Sequence, residues 1–128
     1  MYANASEFGA YGRVLRGIGP ENQELFHRTG NAGWRVAEVP VFDREILSMS
    51  LHDNTPEAFF PVEGTTALAV ANEDDFSDCK LFLLDQPMMI RAGVWHGLMA
   101  VTEESRILVV EDAEVHLEKK PFGKGEEG

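Results

Sequence analysis

The chain has almost no cysteine, few bases and no long apolar run, and each scarcity narrows what it can be. A single thiol, Cys79, closes no internal disulfide, so the fold must rest on its core rather than on covalent staples. Eleven Lys and Arg stand against 22 Asp and Glu, and the resulting formal charge of −11 repels phosphate backbones and anionic lipid surfaces. Neither nucleic acid nor membrane is therefore expected as a partner. No stretch approaches the roughly 20 apolar residues that cross a bilayer. The opening Met1-Tyr2-Ala3-Asn4-Ala5-Ser6-Glu7 lacks a basic n-region and an apolar h-region, which together with the lone thiol predicts a cytoplasmic setting. There is no Ser-His-Asp elbow, phosphate-cradling glycine loop or dinucleotide fingerprint. The acidic run Glu73-Asp74-Asp75 with Asp78 lacks the alternating ligands and central glycine of a calcium loop, and reads as a solvated turn.

What is present is period-two patterning. With 128 residues and 44% hydrophobic content, the chain suits one domain with its own core. Apolar residues nowhere keep helical spacing for long, and the only helical turn expected lies near Ser6-Glu7-Phe8. Strand-like runs are Trp34 to Val39, Ile46 to Leu51, Phe59 to Val62, Thr66 to Val70, Lys80 to Leu84, Pro87 to Ile90, Gly97 to Val101, Ile107 to Val110 and Val115 to Leu117. Turn-forming clusters at Glu63-Gly64, Asn72 to Asp75, Asp85-Gln86-Pro87 and Thr102 to Ser105 separate them. The pattern predicts an all-β sandwich or barrel over residues 1–118, followed by a polar tail over 119–128.

Three residues carry the candidate chemistry. His52 and Glu57 lie five apart, and His96 follows Gly93 after further strands. Inward side chains from neighbouring strands converge inside a barrel, and two imidazoles with one carboxylate leave coordination positions open for water or substrate. Glu57 is also the candidate catalytic carboxylate. His116 reads as an ordinary structural polar residue, as does His27, although His27 is kept among the candidate substrate contacts. Trp95 is expected to pack, because alternation sends it to the face opposite His96, and stands second as a pocket wall. Arg91 is either a solvated residue or a partner for a substrate anion. Met88, Met89 and Met99 look like core, and Cys79 like a bystander.

The same residues resemble the cupin superfamily. His52, four residues, Glu57, six residues and Gly64 match the second half of the first cupin motif, with Ser50 where its first histidine would stand. Gly93-Val94-Trp95-His96 matches the centre of the second motif, and Thr65 to Leu84 separates the two. Within that superfamily the chain resembles ureidoglycolate lyase, through Phe8-Gly9-Ala10-Tyr11-Gly12-Arg13-Val14, His52 through Pro61, Gly93-Val94-Trp95-His96 and Ile107 through Asp112. It departs where that family has Tyr-His before the glycine (here Ile90-Arg91) and His-Pro after the histidine (here Gly97-Leu98). The resemblance implies a double-stranded β-helix holding a divalent metal (Ni, Zn, Mn or Fe) on His52, Glu57 and His96. It further implies cleavage of ureidoglycolate to glyoxylate and urea, with Arg91, Trp95, Ser50 and His27 around a small polar acid, in a homodimer. Another metal-dependent cupin enzyme acting on a small acid or sugar derivative, or a cupin that only binds a small ligand, are the alternatives.

Overall fold

Period-two patterning becomes ten strands in the computed structural model, which describes residues 2–15 and 33–122. His27 lies outside the described residues. A short 3-10 helix, Ala5–Ala10, opens the chain where the helical turn was expected, closed by a reciprocal cap in which Asn4 accepts from Ser6 and Glu7 accepts from the Asn4 amide. Its buried Phe8 packs edge-on against Phe82, 5.1 Å between ring centroids.

The strands are β1 (Gly12–Val14), β2 (Trp34–Val41), β3 (Ser48–His52), β4 (Glu57–Glu63), β5 (Thr66–Ala71), β6 (Lys80–Leu83), β7 (Met88–Ile90), β8 (Trp95–Ala100), β9 (Ser105–Asp112) and β10 (Leu117–Pro121). They form two antiparallel five-stranded sheets, ordered β1-β7-β4-β9-β2 and β10-β3-β8-β5-β6. Phe59, Leu68, Val70, Phe82, Met88, Ile107 and Val109 from both sheets form the core between them. Strand β5 is buried at every residue, because its second face is covered as well. There Met49, Ala69, Ala71 and Trp95 pack beneath Phe76, Leu81 and Phe122.

Two sequence expectations change. The final strand is Leu117–Pro121 rather than Val115 to Leu117, so Lys119, Lys120 and Pro121 belong to a sheet and not to a polar tail; pairing with β3 supplies the backbone partners that polar side chains cannot advertise. In β2, alternation was visible but its facing was not: Arg35, Ala37 and Val39 line the interior cavity, whereas Trp34 is 69% and Val36 49% exposed. No helix among the described residues is long and apolar enough to cross a membrane.

The turn after β4 depends on Gly64. Its φ of +69° is left-handed, and a Cβ there would stand 2.5 Å from the Glu104 carbonyl oxygen and 2.8 Å from Thr102 Oγ1. Gly64→Ala should cost about 1–3 kcal/mol, read as a lower urea midpoint. An unchanged midpoint would contradict the steric account.

Candidate metal centre

Strand register brings the chemistry together. His52 ends β3, Glu57 begins β4 and His96 is the second residue of β8, so each projects inward from a different strand near one end of the barrel. All three are buried, and one ligand-type atom from each falls within 4.8 Å of the others. Glu57 Oε1 stands 3.1 Å from His52 Nδ1 and 3.0 Å from His96 Nε2. On the far side of the His96 ring, Nδ1 donates to the Val94 carbonyl at 3.2 Å, which turns Nε2 toward Glu57.

A second carboxylate joins them. Glu111 on β9 places Oε1 3.2 Å from His52 Nδ1, while its Oε2 accepts from Arg35 Nε at 2.9 Å and Nη2 at 2.8 Å. Arg35 and Glu111 are directly opposed in the β2–β9 register, so this pair is a product of strand pairing. Glu111 stands outside the three-residue cluster and meets it through His52. Above these groups opens a cavity of about 330 Å³, whose wall also includes Ser50, Phe59, Asp43 and Lys119.

The donor set fits a divalent ion. His52 Nδ1, Glu57 Oε1 and Glu111 Oε1 are buried without a directional hydrogen bond, although the two carboxylate oxygens lie only 3.1 and 3.2 Å from the nitrogen. An ion with bonds of about 2.0–2.2 Å has neighbouring ligands about 3 Å apart, the spacing at which Glu57 stands from each histidine. Imidazole and carboxylate together suit Zn, Fe, Mn or Ni rather than a thiolate-loving metal.

In the absence of an ion, protons do the balancing. The carboxylates of Glu111 and then Glu57 raise His52 to about 9 against an opposing effect of burial. Burial pushes Glu57 upward, but the His52 and His96 imidazoles outweigh it and hold the carboxyl at about 2.

Comparisons with known proteins bear on the fold. No family model matches the chain, and no curated protein does. Solved structures do. A dTDP sugar isomerase from Desulfovibrio desulfuricans G20 superposes with TM-score 0.60 at 15% identity, over 88% of this chain and 75% of that one. Procruciferin, an 11S globulin from Brassica napus, gives 0.56 at 14% identity, over 66% and 22%. Oxalate decarboxylase from Bacillus subtilis, described with Mn(II) centres, gives 0.53 at 15% identity over 70% of this chain. This chain has the cupin fold. It spans only 22% of the globulin and 24% of the decarboxylase, and at these identities the likeness concerns architecture alone.

Within this cupin barrel the residues expected around the substrate separate. Ser50 lines the cavity, directly opposite His96 in the β3–β8 register. Arg91 does not: its guanidinium is exposed and donates to the carbonyls of Gly9, at 3.2 Å, and Ala10. It latches the 3-10 helix, because residue 91 lies just past the end of β7, beside β1, rather than on an inward strand position. Trp95 does not either. Alternation turns it to the outer face, where it is fully buried, packs edge-on against Phe76 and donates from Nε1 to Asp74 at 3.0 Å. His116 is a surface residue near Asp53, as expected.

Arg35, Asp43, Glu111 and Lys119 are charged cavity residues that sequence reasoning missed. The usable signal was in β9, where the inward series Ser105, Ile107, Val109 ends on a carboxylate.

The paired titrations give the metal-free protein, kept so with chelator, a defined pH window. Glu57 is depressed on folding, so its contribution is present above its ordinary 4.5 and is lost as pH falls through about 2. His52 is raised, so its contribution is complete below 6.5 and is lost as pH climbs through about 9. Denaturation midpoints should be highest between these two ordinary values and fall on both sides. In Glu57→Gln the acid limb should flatten; an unaltered acid limb would show that Glu57 is not its source.

Proposed function

We propose that this cupin is a metal-dependent enzyme acting on a small polar acid. The observation that carries the reading is the buried His52, Glu57 and His96 cluster at the base of an open cavity of about 330 Å³. A structural ion would be sealed by protein, whereas three ligands facing a cavity leave room for substrate. When bound, a divalent ion supplies Lewis acidity to a substrate oxygen.

The chain's own residues supply the rest. Glu57 is committed to the ligand set, so the carboxylate placed to take or return a proton is Glu111, whose Oε1 carries no directional hydrogen bond. Arg35 holds the other oxygen of Glu111 and so fixes which lone pairs face inward. Phe59 meets the His96 ring edge-on at 5.9 Å and keeps that side of the site apolar.

Ureidoglycolate is the substrate to try first, on the strength of the segments around His52 and His96 that resemble the lyase family. In that reading the substrate's hydroxyl proton passes to a base, the C–N bond breaks with its electron pair going to the ureido nitrogen, which takes up a proton, and glyoxylate and urea leave. Arg91 plays no part, since it is occupied at the 3-10 helix. Two measurements test the proposal in order. Elemental analysis after loading with Mn, Fe, Ni or Zn should find bound metal, and His52→Ala, Glu57→Gln and His96→Ala should each weaken retention by about tenfold or more. Loaded protein should then release glyoxylate from ureidoglycolate above a chelated control. Failure to retain any of the four metals sinks the metal-dependent reading; retention without glyoxylate sinks only the choice of substrate.

A further inference from the structure

The cavity has a charge asymmetry that the metal centre does not explain. Cationic side chains are scarce in this acidic chain, and among the described residues nearly all are engaged. Arg35 holds Glu111, Lys80 pairs with Glu7 at 2.6 Å, and Arg106 reaches Glu38 and Glu63. Arg44 donates to the carbonyls of Ala100 and Val101, Arg91 to those of Gly9 and Ala10, and Lys120 to that of Asp74 at 3.0 Å; Arg13 is engaged as well. Lys119 alone, among the described cations, has neither ion pair nor hydrogen bond, and it lines the cavity. Asp43 lies on the same cavity wall without forming an ion pair with it.

Strand register explains why Lys119 faces inward. Lys119 is opposed to Ser50 across β10 and β3, and Ser50 to His96 across β3 and β8, so the three form one row on the inner face. Two strand spacings separate the Cα atoms of Lys119 and His96, about 10 Å, and a lysine side chain covers much of that distance. The next residue, Lys120, points to the opposite face, where its Nζ sits 4.9 Å from the Trp95 ring centroid. Adjacent lysines thus have separate tasks, one structural and one facing the cavity.

We infer that Lys119 is an anion anchor, so that the substrate is a small diacid or hydroxy-diacid that places one end at His52, Glu57 and His96 and a second carboxylate on the Lys119 ammonium. The assignment rests on the proposed small-acid reading and, within it, favours ligands with a second negative group, about three to four carbons long to fit the row, over the mono-acid ureidoglycolate. Free ammonium at the mouth of a cavity in a net-negative protein both draws an anion in and orients it. Ser50 between the two ends keeps the path open, since its hydroxyl leaves room that a larger side chain would fill.

The probes are tartronate, a hydroxy-diacid, and glycolate, which has the same hydroxy-carboxylate end without the second carboxylate. Calorimetric titration of Mn-loaded protein should show tartronate binding about tenfold or more tighter than glycolate, the worth of a charge-assisted contact. Lys119→Gln should weaken tartronate far more than glycolate and so remove that preference, and Lys119→Arg should restore most of it. Lys120→Gln, equal in charge change but on the outer face, should behave as wild type. Tartronate preference surviving in Lys119→Gln, its absence in wild type, or an equal loss in Lys120→Gln would each overturn the assignment. If the wild type retains no metal yet its tartronate preference still depends on Lys119, the anchor stands and the metal-dependent reading falls.

Discussion

Burying the carboxylate of Glu57 is the constraint on which the rest of the site depends. An isolated carboxylate inside a barrel would cost several kcal/mol, so it must be met by positive charge or be protonated. His52 and His96 meet it at 3.1 and 3.0 Å. Because His52 is also flanked by Glu111, a second buried charge enters, and Arg35 is needed to balance that one. The chain of compensation runs from the barrel interior to the cavity mouth across β4, β3, β9 and β2. Removing any member leaves a neighbour uncompensated, which is why these residues behave as a group.

The same architecture separates two kinds of work on one sheet. The inner face of β10, β3 and β8 carries Lys119, Ser50 and His96, all polar and facing the cavity. The outer face of those strands carries Lys120, Met49 and Trp95, which pack with Phe76 and Phe122. Rigid packing on one side gives the polar row on the other a fixed geometry. The missing ligand-type side chain at Ser50 fits this division. A smaller donor set leaves more open coordination positions and more cavity, and the charge that a further imidazole does not bring is available from Lys119 nearby.

Much of this was legible beforehand, and the failures have a common cause. The strands, the turn at Gly64 and the convergence of His52, Glu57 and His96 follow from short-range patterning and from motif spacing. Arg91 was misplaced because a cation near Gly93 in sequence is not near the cavity in space; the 3-10 helix carbonyls claim it instead. Trp95, by contrast, packs on the outer face as alternation beside His96 implied. Lys119 was read as part of a tail because a strand with polar side chains on both faces carries no hydrophobic period, and only pairing with β3 makes it a strand.

By itself, the sequence determined that this is an acidic, all-β chain with a histidine-carboxylate cluster, because composition and period-two alternation act over a few residues at a time. Which face of each strand turns inward, and therefore that Arg35, Glu111 and Lys119 share a cavity with the cluster while Arg91 does not, was decided only by tertiary structure. Cross-strand register joins residues as far apart as Arg35 and Glu111, and no local pattern encodes such a pairing.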